Sequence, residues 1–178
     1  MIQPGKQQVF SISNEEQFLA AALQVFRYQA ENNIVYKQFV DGLGVDVAAV
    51  TSIEQIPFLP VEFFKAHSVV SGSEPPQITF TSSGTTGMVT SSHYVNDVSW
   101  YEESFRRAFE LFYGDIKSYT VLALLPAYLE REGSSLIYMA QDMINQSGNP
   151  DSGFYLYNHQ DLYQTLLKQQ AEAKPTLL

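Results

Sequence analysis

Cysteine is absent from all 178 residues. Disulfides, thiolate metal sites and a cysteine nucleophile are therefore excluded within this chain. Charge is also scarce. Asp, Glu, Lys and Arg make up 16% of residues, and the balance is net −9. An acidic chain repels nucleic acid and anionic membrane, so neither is an expected partner. No stretch approaches the ~20 apolar residues of a membrane span. The start, MIQPGKQQVF, lacks the apolar run of a signal peptide. The cytoplasm is the expected compartment. His67 and His159 are far apart and adjoin no carboxylate cluster, so no metal site is expected.

One further gap is local. No lysine or arginine occurs between Lys65 and Arg106. Inside it lies Phe80 to Val95, FTSSGTTGMVTSSHYV, where eight of the twelve residues from Thr81 to Ser92 carry a hydroxyl. An anion held there would need aligned neutral donors, or a cation arriving with it.

What is present suffices for a core, with 45% hydrophobic and 13% aromatic residues. The first 75 residues read as a helical region. Ser13 and Glu16 suggest a capping box. Phe18, Ala21, Ala22, Val25 and Phe26 follow as a helical stripe. A second helix is expected from Ile34 to Val40, ending near Gly42 or Gly44, and Pro60 suits the first turn of a short helix carrying Phe63 and Phe64.

From residue 76 to 178 the texture alternates. Gln77–Thr81, Tyr119–Leu125 and Gly153–Tyr157 read as strands. Helices are expected after Asn96 or Asp97, after Ser134 and after Asn158. Their inward stripes would include Phe105, Phe109 and Phe112, then Ile137 and Ala140, then Leu162, Tyr163 and Leu167. Pro175 to Leu178 suggests the start of a further strand. Such alternation predicts an α/β fold, a parallel sheet with helices on its faces, preceded by a helical cap.

In an open parallel sheet, ligands bind at the carboxyl ends of the strands. The hydroxyl-rich segment is expected to leave the first strand at that edge. Gly84 and Gly87 can take positive φ, which lets successive backbone N–H groups face one concavity. Ser82, Ser83, Thr85 and Thr86 would add hydroxyl donors. A solvated Ser/Thr-rich surface loop is the alternative. The segment is not a Walker A loop, because Met88 and Val89 follow Gly87 where Lys and Ser/Thr would be required. His93 could lie near a bound phosphate or carboxylate, or could be a partly buried strand histidine. Arg131, in Glu130-Arg131-Glu132, is the nearest candidate cation for substrate, or else part of a helix-start charge cluster.

Ser82-Ser83-Gly84-Thr85-Thr86-Gly87 resembles the phosphate-binding signature of adenylate-forming enzymes, the superfamily of acyl-CoA synthetases and luciferases. IPFLPVEFFKAH (Ile56 to His67), FTSSGTTG with the following SSHYV, and LLPAYLEREGSSLIYMA (Leu124 to Ala140) resemble the LuxE-type acyl-protein synthetases in particular. The resemblance implies that ATP, entering with Mg²⁺ as substrate, reacts with a carboxylic acid, chiefly a fatty acid. An acyl-adenylate and pyrophosphate result, and the acyl group passes to a thiol, with an acyl-carrying or reductase protein as a further partner. Ser83, Gly84, Thr85, Thr86 and Gly87 would hold the β- and γ-phosphates. Tyr128 matches the aromatic position that lines the family's acyl pocket, although a lone aromatic after a strand also suits a core. The chain departs from the family in lacking its loop lysine, with Gly87-Met88-Val89-Thr90 in that place. The family's base and ribose contacts, magnesium-binding glutamate, catalytic lysine and acceptor cysteine are expected beyond residue 178. By that comparison these residues are the first half of such an enzyme and inactive by themselves. A non-catalytic anion-binding or scaffold module and an acyltransferase using preformed acyl-CoA are the rival expectations.

Overall fold

A computed structural model describes residues 2–82, 90–126 and 133–178. The chain is mixed α/β, with seven helices and five strands among the described residues. It divides into two compact units, Met1–Asn96 and Asp97–Leu178.

The first unit is built around two long helices. α1 (Lys6–Phe10) is a short turn before α2 (Glu15–Asn32). Asn14 caps α2 by accepting from the Gln17 N–H at 2.9 Å, and Gln17 Oε1 accepts in return from the Ser13 N–H. The cap thus lies one residue later than expected, at Asn14, because asparagine serves as an N-cap as well as serine does. Asn33 ends α2 in an extended conformation, and its side chain caps α3 (Ile34–Gly42) through the Tyr36 N–H. α2 and α3 close on a core of Phe26, Ala30, Tyr36, Val40, Val50 and Ile56. Phe26 and Tyr36 meet edge to face, with ring centroids 6.2 Å apart. The Tyr36 hydroxyl donates to the Pro57 carbonyl at 2.7 Å, and burial pushes its pKa up to about 12. Phe18, expected inward, is half exposed. After a 3-10 turn (Ile53–Gln55), α4 (Phe63–Ala66) follows Pro60 as expected.

β1 (Ile78–Thr81) and β2 (Ser92–Val95) complete this unit as an antiparallel pair. The expectation that residues 77–81 head the parallel sheet is corrected here. The chain returns on itself after the hydroxyl-rich segment, and β1 pairs with the strand that follows instead of crossing over to a parallel neighbour.

The second unit holds the parallel sheet, in the order β4-β3-β5. α5 (Val98–Tyr113) is capped by the Asp97 carboxylate and ends at Gly114, whose φ of 80° only glycine takes without strain. Phe105 and Phe109 are buried, but Phe112 is 77% exposed, because the Leu111–Tyr113 turn extends past the core. β3 (Thr120–Ala123) is the central strand and buried at every position. α6 (Ser135–Ser147), capped by Ser134, packs on it with Ile137 and Ala140 buried. β4 (Gly153–Phe154) pairs with the carboxyl end of β3, and β5 (Thr176–Leu177) with its start. β4 is shorter than expected, and Tyr157 lies exposed beyond it. α7 (His159–Ala171) buries Leu162 and Gln169, leaving Tyr163 and Leu167 substantially exposed.

At the start of the parallel strands sits a satisfied polar network. The fully buried Thr120 hydroxyl donates to Gln169 Oε1 at 2.7 Å and accepts from Asn149 Nδ2 at 2.7 Å. Gln169 Nε2 donates on to Asp151. Thr120→Val strands the buried Gln169 and the half-buried Asn149 at once. It should therefore cost about 1–3 kcal/mol, seen as a lowered urea midpoint. An unchanged midpoint would mean that the network carries no net stability.

Lys168 holds the Asp151 carboxyl below the usual carboxylate range, chiefly by hydrogen bonding, and is itself raised by the same bond. The depressed carboxylate stabilises the fold fully above its unfolded pKa of about 3.9. That stabilisation disappears as pH falls through the lower folded value. The raised ammonium acts in the opposite sense, losing its contribution as pH rises through its folded value, above the unfolded value of about 10.4. Asp151→Asn should lower stability at pH 7, and the difference should shrink as the pH drops below about 4. A difference that does not vary over that acid range contradicts this coupling.

Candidate functional site

The hydroxyl-rich segment spans the two strands of the hairpin. Ile78 faces Val95, Thr79 faces Tyr94, Phe80 faces His93 and Thr81 faces Ser92. Alternating β-branched and aromatic residues favour this extended pairing, with Phe80 turned into the unit and Thr81 outward. One step past the ladder, the Ser82 N–H donates to the Ser91 carbonyl at 3.0 Å, and the Ser91 N–H donates to Ser82 Oγ at 2.9 Å. These two bonds join Ser82 and Ser91 just beyond the end of the ladder.

Ser82 has a structural task in that pairing. Its hydroxyl oxygen accepts from Ser91, which leaves its proton free to donate elsewhere. His93 lies on β2, as one of its two expectations required, but its side chain is exposed rather than partly buried. Its ring stacks on Phe64 of α4, with centroids 6.0 Å apart and planes 12° from parallel. At the far end of β2, Asn96 Nδ2 donates to the Ser71 carbonyl at 2.7 Å. Two contacts thus brace β2 against the segment after Pro60.

Ser82 and His93 are brought to the same hairpin. Ser83, Gly84, Thr85, Thr86 and Gly87 lie outside the described residues, as do Tyr128 and Arg131. In the sequence, Tyr128 and Arg131 follow the carboxyl end of the central strand β3 by way of Leu124-Leu125-Pro126. Sequence reasoning missed Phe64 and Ser91 as partners of the site residues. Phe64 falls in the Ile56–His67 block, but nothing in its spacing from His93 signals that the rings meet. Ser91 could have been found by extending the hairpin register one step beyond Thr81.

Each unit also holds a cavity. In the second, a hollow of about 360 Å³ is lined by Arg106, Phe109, Lys117 and Asp142. Asp142 grips Arg106 through two nitrogens and holds its pKa above the ordinary arginine value. That arginine is therefore committed to an ion pair, and no predicted site residue lines the hollow. In the first unit, a cavity of about 380 Å³ lies between α2 and the Ile53–Phe64 segment. Among the described residues no group of three or more histidines and carboxylates could hold a metal ion, and no helix is long and apolar enough to cross a membrane. Comparisons with protein-family models, curated proteins and solved structures found no match.

Proposed function

We propose that this chain supplies the phosphate-holding part of an ATP-dependent, AMP-forming acyl ligase, and that its fold is part of the N-terminal subdomain of an adenylate-forming enzyme. The observation that carries the proposal is the six-residue motif Ser82 to Gly87, which begins just beyond the ladder of a hairpin. The paired Ser82 and Ser91 hold the residue at which the motif begins, and positioned donors are what an oxyanion-stabilising site requires. Phosphoryl chemistry asks the protein mainly for positioning and electrostatic stabilisation. Backbone N–H groups and hydroxyls between Ser82 and Gly87 would receive the β- and γ-phosphates, while Mg²⁺ entering with ATP supplies the positive charge that the sequence lacks there.

The carboxylate oxygen of the acid then attacks the α-phosphorus. The bond to the bridging oxygen breaks, pyrophosphate leaves, and a mixed anhydride of acid and AMP remains. A thiol attacks the carbonyl of that anhydride and releases AMP. Tyr128 and Arg131, which follow β3 in the sequence, are proposed contacts for the acid, and His93 for the phosphates or carboxylate. A cytoplasmic setting and a partner protein that carries or reduces the acyl group complete the proposal.

Acid-dependent exchange of labelled pyrophosphate into ATP by the full-length protein tests it. Acyl transfer from preformed acyl-CoA without ATP would favour the acyltransferase alternative, and phosphate binding without either reaction the non-catalytic one.

A further inference from the structure

We infer that the cavity of the first unit is a binding site for a neutral acyl compound, an aliphatic chain ending in a carbonyl such as an ester, thioester or amide. The inference is independent of adenylation and stands on the walls of the cavity alone.

Its volume of about 380 Å³ is more than twice the ~150 Å³ of an apolar protein cavity that accepts benzene, and lies in the range of ligand pockets. No charged residue lines it. Phe26, Ala21 and Ala22 form part of its wall, and Phe18 and Phe58 stand at its rim with more than half of their surfaces exposed. Two aromatic rings left in water beside a hollow lined by aliphatic and aromatic residues describe an apolar surface that an inserted chain would cover. A charged head group would lose its hydration inside such walls without a counter-ion, so the occupant is neutral where it is buried.

Gln29 also lines it but is exposed, and one buried polar group on the wall specifies more. Asn33 is 4% exposed, and its Oδ1 is taken up by the Tyr36 N–H at the start of α3. Its Nδ2 has no partner among the described residues. Nor is that nitrogen sealed in protein, because the only sealed side-chain polar atom without a partner among the described residues is Asn96 Oδ1. Asn33 is among the residues that line the cavity. Tyr36, the other buried polar side chain on the wall, donates its proton to Pro57. The cavity therefore offers an N–H donor and calls for a ligand with an acceptor. A carbonyl attached to an aliphatic chain meets the donor and the walls together.

The test uses methyl octanoate as probe, titrated into the full-length protein and followed by the Asn33 side-chain amide signal in ¹⁵N-correlated NMR. Saturable binding that moves this signal is expected, with the octanoate anion binding at least about tenfold more weakly because its charge must be desolvated. Asn33→Asp keeps a good N-cap for α3 but removes the donor. It should weaken the ester by about tenfold with helicity unchanged. Ala22→Leu should abolish binding by filling the hollow. No saturable binding by the wild-type protein, or binding that neither variant alters, overturns the inference. So does concentration-dependent self-association that protects Phe58 and excludes the ester, since a second copy of the chain would then be the occupant. Pyrophosphate exchange is read separately, so the failure of either proposal leaves the other measurable.

Discussion

Replacing Thr85 and Thr86 together by valine should abolish acid-dependent pyrophosphate exchange while leaving the protein folded. Valine has nearly the shape of threonine and removes only the hydroxyl. Each donor lost at a centre of developing charge is worth roughly 2.7–4 kcal/mol, or about 10²–10³ in rate. If both contribute independently, exchange falls below detection. Stability should barely change, because the strands that flank the motif are joined by their own ladder and by the Ser82–Ser91 pair. Exchange at the wild-type rate would remove the phosphate-holding role from this motif. A large loss of stability would instead make these threonines structural.

The largest effect on stability is expected at Phe26. It is 2% exposed, lies in the core between α2 and α3, and sets its ring edge to face against Tyr36. Phe26→Ala removes a full ring from a packed interior and should cost about 3–5 kcal/mol. For a chain of this length that corresponds to a fall of roughly 6–20 °C in Tm. Phe112→Ala is the matched control. At 77% exposure it should change stability by no more than about 0.5 kcal/mol. Thermal unfolding of the two variants side by side checks the pair. Equal losses would contradict the assigned core.

The contrast between these two phenylalanines marks how far local pattern carries. Helix ends were legible, because capping depends on residues adjacent in sequence. Asp97, Ser134, Gly114 and Gly148 terminate α5 and α6 where their chemistry predicts. β3 was legible because a continuous apolar run needs burial on both faces. Phe112 was misjudged because consecutive large residues at a helix end cannot all face a core, and periodicity alone does not say where that core stops. The pairing of β1 was missed for another reason. Strand partners are fixed by contacts distant in sequence, and Ser-His-Tyr-Val gives β2 little apolar signal of its own. Of the candidate site, Ser82 and His93 fall on one hairpin, as their positions on either side of the motif allow. The stacking of His93 on Phe64 was illegible, since it depends on how α4 lies against β2. Asn33 was passed over because a buried cap and a free amide donor look alike in sequence.

Oxygen transfer from the acid to AMP is the most direct measurement of the proposed chemistry. A fatty acid labelled with ¹⁸O in both carboxylate oxygens would be incubated with the full-length protein, Mg-ATP and a thiol acceptor, and the nucleotide product analysed by mass spectrometry. Attack of the carboxylate on the α-phosphorus, followed by release of AMP from the mixed anhydride, places one labelled oxygen in each AMP formed. Unlabelled AMP, ADP in its place, or acyl transfer that proceeds without any nucleotide would contradict it.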